Sequence, residues 1–345
     1  MKIKDDFDFI LFDRIEKIKQ INEEYDLENN AYISFSGGKD STILHYLVDM
    51  AIPNNKIPRL FINTGVEYQD IRKFVEELAK DDQRITIINS GINLKTMLNK
   101  YGYPFKSKQH SHNWSIYNNN KDVCKKYINI FLEQPEKKED YEFVHNIPKG
   151  AKTIIKYVFG IRERERESCT SSLIVPNKLK YQFMPNYDGI KMSDMCCNKL
   201  KKEPALKWEK ENNRNIVLTG MRAEEGGMRN QNGCTIFEGK KLKKFHPLKV
   251  VSEEFEDKFV EKFDVKLCKL YYPPFNFKRT GCKGCPFALD LQVQLDVMKK
   301  LLLHEYKQCE ILWKPAYQEY RKSGYRLKKL EDVLKQTNIF DFLEE

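Results

Sequence analysis

No stretch of this chain reaches the ~18 apolar residues that a membrane span needs. Met1 to Ile10 alternates charged and apolar side chains where a signal peptide would carry an apolar core. These absences predict a cytoplasmic protein with no membrane partner. Internal repeats and low-complexity linkers are also lacking. In a reducing compartment the nine cysteines are expected to remain thiols unless they hold metal. Nine is an odd number, and the neighbours Cys196 and Cys197 reach disulfide geometry only with difficulty.

What is present suits a folded α/β protein. The 345 residues are 41% hydrophobic, enough for one large domain or two unequal ones with a real core. Charged residues make up 32%, and the net charge of +10 is spread along the chain. That surplus suits a polyanion such as a nucleotide, RNA or DNA, although a Lys-rich solvated surface gives the same count.

Apolar residues at Ile10, Ile15, Ile18 and Ile21 predict an amphipathic helix over Phe7 to Glu24. Ala31 to Phe35 is short and β-rich, two glycines follow, and helical spacing resumes from Ser41 to Met50. Arg59 to Asn63 and Arg84 to Asn89 read as strands on either side of a helix over Asp70 to Lys80. Alternation of this kind predicts a parallel sheet with crossover helices. From Leu94 to Met192 the chain is polar and rich in Asn and Lys, with helices expected at Lys121 to Leu132 and Ala151 to Phe159. This segment, 94–192, reads as an insertion over the carboxyl edge of the sheet. Asn215 to Thr219 returns to strand character, Glu253 to Phe263 reads as a helix, and a helical tail is expected from Leu289 onward. The organisation expected is an α/β domain over 1–250 and a cysteine loop with a helical C-terminal region over 251–345.

The junction Ser34-Phe35-Ser36-Gly37-Gly38-Lys39-Asp40-Ser41-Thr42 carries the strongest chemistry. Gly37 and Gly38 let the backbone turn so that N–H groups face an anion at a helix N-terminus. Lys39 adds charge, and Ser36, Ser41 and Thr42 add hydroxyls. The spacing matches neither the GxxxxGK[ST] nor the GxGxxG phosphate loop. It resembles the pyrophosphate loop of the phosphoadenosine-phosphosulfate reductase and adenine-nucleotide α-hydrolase superfamily, also called N-type ATP pyrophosphatases. Phe61 to Glu67 is similar to the superfamily's Thr-Gly segment, so the resemblance implies nucleotide contacts at Thr64, Gly65 and Glu67. It also implies the superfamily's Rossmann-like (HUP-type) parallel sheet flanked by helices. A ligand at the carboxyl ends of the strands is the general expectation for such sheets.

Cys196-Cys197 and the CxxC of Cys282 and Cys285 supply four soft thiolates, enough for zinc or a 4Fe-4S cluster. Thiolates around one zinc lie ~3.8 Å apart, whereas a cubane spreads its ligands over separate irons, which suits adjacent cysteines better. Zinc and buried structural thiols stay open. The pattern resembles the CC…CxxC ligands of adenylyl-sulfate reductases, and that resemblance implies a 4Fe-4S cluster. In the continuation Cys196 to Pro204, Leu200 stands where the family carries arginine, while Lys201 and Lys202 remain as anion contacts. Cys124, Cys169, Cys234, Cys268 and Cys309 lack such a pattern and read as small buried hydrophobes.

Leu218 to Arg229 is similar to the family's GxR…R segment, which implies that Gly220, Arg222 and Arg229 serve the nucleotide's charged end; arginine forks bind two oxygens at once. The alternating charges of Arg162 to Glu167 read as a solvated helix, and His246 is given no role. Sulfonucleotide reductases attack sulfur with a cysteine in a Glu-Cys-Gly-Leu-His tail. Asn338 to Glu345 has no such pattern, and Cys309 falls within an apolar-rich stretch, Leu301 to Trp313, read as helix.

The resemblance therefore implies an enzyme of sulfur metabolism that binds ATP or an adenylyl sulfate, with Lys39, Asp40, Arg222 and Arg229 at the reacting end and magnesium as an open companion. Two reactions compete: release of sulfite by an external thiol donor, and adenylation followed by sulfur transfer, as in enzymes that thiolate tRNA or DNA. Nucleic acid stays an open partner. A nucleotide-binding redox-sensing module is the reading from another class.

Overall fold

The computed structural model describes residues 5–161, 174–225 and 233–329. These form two compact units that interleave along the chain. One comprises Met1–Leu94 and Lys199–Lys283, the other Lys95–Asn198 and Gly284–Glu345.

The first unit holds a six-stranded sheet in the order β3-β2-β1-β4-β6-β5. Its strands are β1 (Ala31–Ser34), β2 (Arg59–Asn63), β3 (Ile85–Asn89), β4 (Ile216–Leu218), β5 (Thr235–Glu238) and β6 (Lys241–Phe245). The pairings β1·β2, β2·β3, β1·β4 and β4·β6 are parallel, and only the edge hairpin β5·β6 is antiparallel. This is the expected α/β class, a mostly parallel sheet flanked by helices. Ile33, Leu218 and Phe245 from three adjacent strands are buried with Ile43, Leu44, Leu47 and Val48, which line one face of the helix Lys39–Ala51. The opening helix Asp6–Tyr25 adds Leu11, Ile18 and Ile21, and the helix Glu253–Lys262 adds Phe255 and Phe259. On the opposite face Tyr32 and Leu60 pack with Trp208 of the helix Glu203–Glu211, and Tyr32 donates to Glu209 at 2.6 Å.

The hairpin β5·β6 carries only a weak strand signal in its sequence. Its Lys-rich sequence resembles a solvated charge run, yet Leu242 and Phe245 are buried beside β4 while the intervening lysines stay more open, as an edge strand requires. Gly239, with φ of +61°, makes the turn.

The second unit is helical. Besides Lys108–Asn119, Lys121–Glu133 and Lys149–Phe159, it contains Leu291–Leu301, Leu303–Leu312 and Lys314–Ser323. The expected single tail helix is thus three short ones among the described residues. Leu302 leaves helical geometry at φ −136°, and Pro315 sits in the first turn of the third helix, where a missing N–H costs nothing. Apolar spacing alone does not reveal such breaks. The core is polar at its centre: His110 is fully buried between Tyr157 (2.8 Å) and Gln182 (3.0 Å), and Gln182 and Tyr181 both donate to Glu319. Burial lowers His110 to about 3, so the ring is neutral. No described helix is long and apolar enough to cross a membrane.

A charged network fastens the amino end of β2. Arg59 is fully buried and donates to Asp49 (2.6 Å), Asn55 (2.8 Å) and His45 (3.1 Å), while Arg84 reaches both oxygens of Asp49 at 2.7 and 2.9 Å. Burial alone would raise the Asp49 carboxyl, but the Arg84 hydrogen bonds and the Arg59 charge overcome it and hold it below its ordinary value. Asp49→Ala leaves the buried Arg59 guanidinium with neutral partners alone at that end and is expected to cost about 3 kcal/mol in chemical denaturation. Because the folded carboxyl sits below its unfolded value, its contribution is present at neutral pH and is lost as pH falls through the folded value. Wild type should therefore lose more stability than Asp49→Ala between neutral and acid pH; equal losses would count against the network.

Candidate functional site

The site forms where the carboxyl ends of β1, β2 and β4 meet. β1 and β4 pair with Ala31 opposite Ile216, and β1 and β2 with Ser34 opposite Leu60, so the loops that follow all three strands emerge on one edge of the sheet. After the exposed Ser34 the chain turns through Gly37 at φ +68° and enters the helix at Lys39. A side chain at Gly37 would meet Val75 Cγ2 at 2.6 Å, so the turn demands glycine both by conformation and by space.

No side chain caps this helix; Gly38 is the cap residue and its carbonyl accepts from Thr42 N–H at 3.0 Å. Ser36 Oγ lies 3.0 Å from Ser41 Oγ and accepts from Gly38 N–H at 3.3 Å. The Ser41 and Thr42 hydroxyls both donate to Gly38 O at 3.0 Å. Those two hydroxyls therefore shape the loop from inside. The first helical N–H, that of Lys39, donates to Tyr271 Oη at 3.0 Å, and Tyr271 Oη also lies 2.5 Å from Thr280 Oγ1. Tyr271 belongs to none of the sequence motifs. Burial pushes its hydroxyl up to about 12, so it stays protonated.

The carboxyl end of β4 comes down on the same helix start. A Cβ at Gly220 would lie 2.7 Å from the Asp40 carbonyl oxygen and 3.1 Å from Asp40 Cβ. Two residues on, Arg222 is buried, with Nε 3.8 Å from Asp40 Oδ1 and 3.3 Å from Glu256 Oε1, and Nη1 3.0 Å from Glu224 Oε2. Lys39 Nζ lies 2.5 Å from Asp257 Oδ1 and 3.9 Å from Glu256 Oε2. Of the predicted cations, Lys39 and Arg222 thus share one carboxylate, Glu256, and each already faces others. Glu256 belongs to no motif, but its spacing gives a signal: it falls three residues before Phe259 and four before Val260, on the helix's apolar stripe. Lys39, Asp257, Glu261, Tyr271, Tyr272 and Phe277 line a cavity of about 580 Å³ beside the loop.

After β2 the chain turns again. Thr64 donates to Glu67 through N–H (2.9 Å) and Oγ1 (2.7 Å), Gly65 takes φ +78°, and Lys201 Nζ reaches Glu67 Oε1 at 3.6 Å. Two segments far apart in sequence, each singled out for anion contact, therefore share an ion pair. His246, given no role, is buried with Nδ1 2.7 Å from Thr219 Oγ1; burial lowers it to about 4, which makes the ring neutral. Arg229, Cys169, Arg162 to Glu167 and Asn338 to Glu345 lie outside the described residues.

The cysteine motifs fall in both units: Cys196, Cys197 and Cys285 in the helical one, Cys282 in the sheet unit. Cys196 is buried; Cys197, Cys282 and Cys285 are half-buried. As sulfur donors they fit an iron–sulfur cluster in chemistry. Among the described residues, no group of three or more His, Cys, Asp or Glu is arranged to hold a metal ion. Within the helical unit, Gly284 takes φ +58° with Cys309 Sγ and Tyr317 Oη against its open side, and Tyr320 Oη donates to Pro286 O at 2.6 Å. Of the other cysteines, Cys124, Cys268 and Cys309 are buried as expected and Cys234 is only half-buried.

A family model for the phosphoadenosine phosphosulfate reductase domain matches residues 30–128 and 136–288. The chain belongs to that family. The matched residues contain the phosphate loop, the Thr64 turn, Arg222 and both cysteine segments. An uncharacterised protein of Methanocaldococcus jannaschii is 31% identical over 128 residues, and the match covers 34% of this chain and 31% of that protein. The alignment thus spans about a third of this curated relative's length. Among solved structures, the phosphoadenylyl-sulfate reductase of Candida auris in its phosphate complex is 13% identical with a TM-score of 0.41, over 82% of this chain and 97% of that one. The NH3-dependent NAD synthetase of Campylobacter jejuni gives 11% and 0.36, over 92% and 96%. The U34-tRNA thiolase NcsA of Methanococcus maripaludis, solved with its 4Fe-4S cluster, gives 13% and 0.33, over 91% and 80%. Activities and ligands at such low identity remain those of the proteins compared.

The Gly220 contact generates a test of the reductase-family site. Gly220→Ala should push the Asp40 turn and lower ATP affinity by about tenfold or more, since displacements of about 1 Å are costly in a preorganised site. Calorimetric titration with ATP and a thermal melt check it; unchanged affinity in a folded variant would mean that the loop does not depend on this contact.

Proposed function

We propose that this protein binds an adenine nucleotide through residues 36–42 and cleaves ATP between its α- and β-phosphates, with sulfur transfer as the purpose of the activation. The observation that carries this reading is the convergence of Lys39, Asp40 and Arg222 at the start of one helix, at the carboxyl edge of a parallel sheet. In this reaction a nucleophilic oxygen of the acceptor forms a bond to the α-phosphorus. The bond from that phosphorus to the oxygen bridging to the β-phosphorus breaks, and pyrophosphate leaves with the electron pair. A sulfur nucleophile from an external donor then displaces AMP. Lys39 and Arg222 neutralise charge on the departing pyrophosphate, the buried guanidinium acting where low dielectric strengthens it. Ser36, Gly37 and Gly38 shape the loop that receives the phosphates, and Thr64, Gly65, Glu67 and Lys201 form a second polar turn at the same edge. Arg229 is proposed as a further phosphate contact on its sequence pattern.

Cys196, Cys197, Cys282 and Cys285 are proposed as ligands of a 4Fe-4S cluster on their spacing and donor chemistry. Such a cluster supplies electron transfer or a site for sulfur when bound. Nucleic acid, as tRNA or DNA, is an open acceptor. The second reading, sulfite release from an adenylyl sulfate, is favoured by the family match; it needs two thiols to become a disulfide as sulfite departs. If Cys309 were the attacking thiolate it would have to be accessible, and it is fully buried. A redox-sensing module would bind nucleotide without turnover.

Protein prepared anaerobically is expected to release pyrophosphate from magnesium ATP when supplied with its acceptor, and Lys39→Ala to lose most of that activity. Sulfite from adenylyl sulfate with no pyrophosphate from ATP would select the reductase reading, and neither product would select the sensor. Cys309→Ser should keep at least about half of the activity, because a buried thiol does no chemistry. A sulfonate adduct on Cys309 would reverse this. About four irons and four sulfides per chain are expected, as a cubane on four thiolates requires; one zinc and no colour would exclude the cluster.

A further inference from the structure

Glu256 is fully buried, and as a carboxylate neither of its oxygens accepts a hydrogen bond from the described residues. Its surroundings are charged on every side. Lys39 and Asp40 face it from the helix Lys39–Ala51, Arg222 from the loop after β4, and Asp257 follows it on its own helix and pairs with Lys39. Arg222 Nε is likewise buried without a hydrogen bond, although it lies only 3.3 Å from Glu256 Oε1. Buried polar atoms without a hydrogen bond are costly, so a cluster of them needs a reason. A purely structural position would be filled at less cost by an apolar residue, since the neighbouring Phe255 and Phe259 are core.

We propose that Glu256 is a positioning residue of the nucleotide site: its carboxyl, wedged between Arg222, Lys39 and Asp40, fixes Arg222 and Asp40 at the phosphate loop without itself touching the nucleotide. This rests on the reading of residues 36–42 as that loop. In its acid form the carboxyl donates to Asp40 from one oxygen and keeps the other 3.3 Å from Arg222 Nε, which places it between two neighbours of opposite charge. The environment favours that form. Burial, followed by the Asp40 charge, pushes Glu256 up to about 8 against the opposing pull of Arg222 and Lys39. The acid form also keeps a second negative charge away from an incoming polyphosphate.

A glutamine reproduces this hydrogen-bonding pattern permanently; a leucine fills similar space without it. With ATP as the probe in calorimetric titration, Glu256→Gln is expected to bind within about threefold of wild type, whereas Glu256→Leu should bind at least about tenfold more weakly, a loss of one strong polar contact. In turnover, KM for ATP should carry the loss while kcat changes less. The pH profile needs only the glutamine variant. Wild-type affinity should be full below about pH 7.5 and fall as pH rises through about 8, approaching tenfold per unit at most, because ionisation of Glu256 then opposes the bound anion. Glu256→Gln should be flat over pH 7.5–9. Equal ATP affinity in wild type and a folded Glu256→Leu, or a pH profile shared by wild type and Glu256→Gln, would overturn the proposal. A loss in Glu256→Gln as large as in Glu256→Leu would mean a role that requires the carboxylate itself, and would overturn it too. Wild type that binds neither ATP nor an adenylyl sulfate would refute the nucleotide reading instead.

Discussion

The approach of Gly220 to the Asp40 backbone is the constraint on which the site depends. Parallel pairing of β1 with β4 brings together strands separated by more than half of the chain, and their loops then have to share the space above one sheet edge. Only a residue without a side chain lets the second loop settle 2.7 Å from the Asp40 carbonyl oxygen, as measured to the position a Cβ would take. From that contact Arg222 follows two residues later, at a depth where its charge is worth more than it would be in water. Gly37 does the same on the other side of the turn, pressed against Val75. Two glycines thus set the distance between an arginine and a helix N-terminus.

The electrostatics of the loop are balanced in the structure as it stands. Lys39 is opposed by Asp257 and Glu256, and Arg222 by Glu224, Glu256 and Asp40. Under the proposed reading, an arriving polyphosphate would compete with these carboxylates for the same cations, which would favour ligands of high charge density. Partly hydrogen-bonded networks of this kind are costly in a core and common at sites where chemistry is done.

Membership in the phosphoadenosine phosphosulfate reductase domain family accounts for the order of these parts along the chain. It does not select a reaction. The matched residues contain the loop, the Thr64 turn and Arg222, the parts proposed above to meet the nucleotide. Burial of Cys309 bears on this choice more directly than any motif, because a thiol with no exposure has no path to a sulfonucleotide.

The sequence by itself determined the strand–turn–helix units, and their bounds came within a few residues: Arg59–Asn63 is a strand as spaced, and the helix Lys121–Glu133 begins where the pattern begins. These are local properties, written in periodicity, β-branched runs and paired glycines. It also singled out Lys39, Asp40 and Arg222 as candidates for the phosphate end, since all three lie in short motifs. Tertiary structure alone decided the edge hairpin, whose lysines hide its two buried positions, and the division of the last helical stretch into three. It alone interleaved the two units at residues 94, 198 and 283, a matter of contact rather than chain order. Above all, it placed Glu256 and Tyr271 at the loop. Neither belongs to a motif, because a side chain that acts through its neighbours is specified by the distance between elements, and that distance is set by packing.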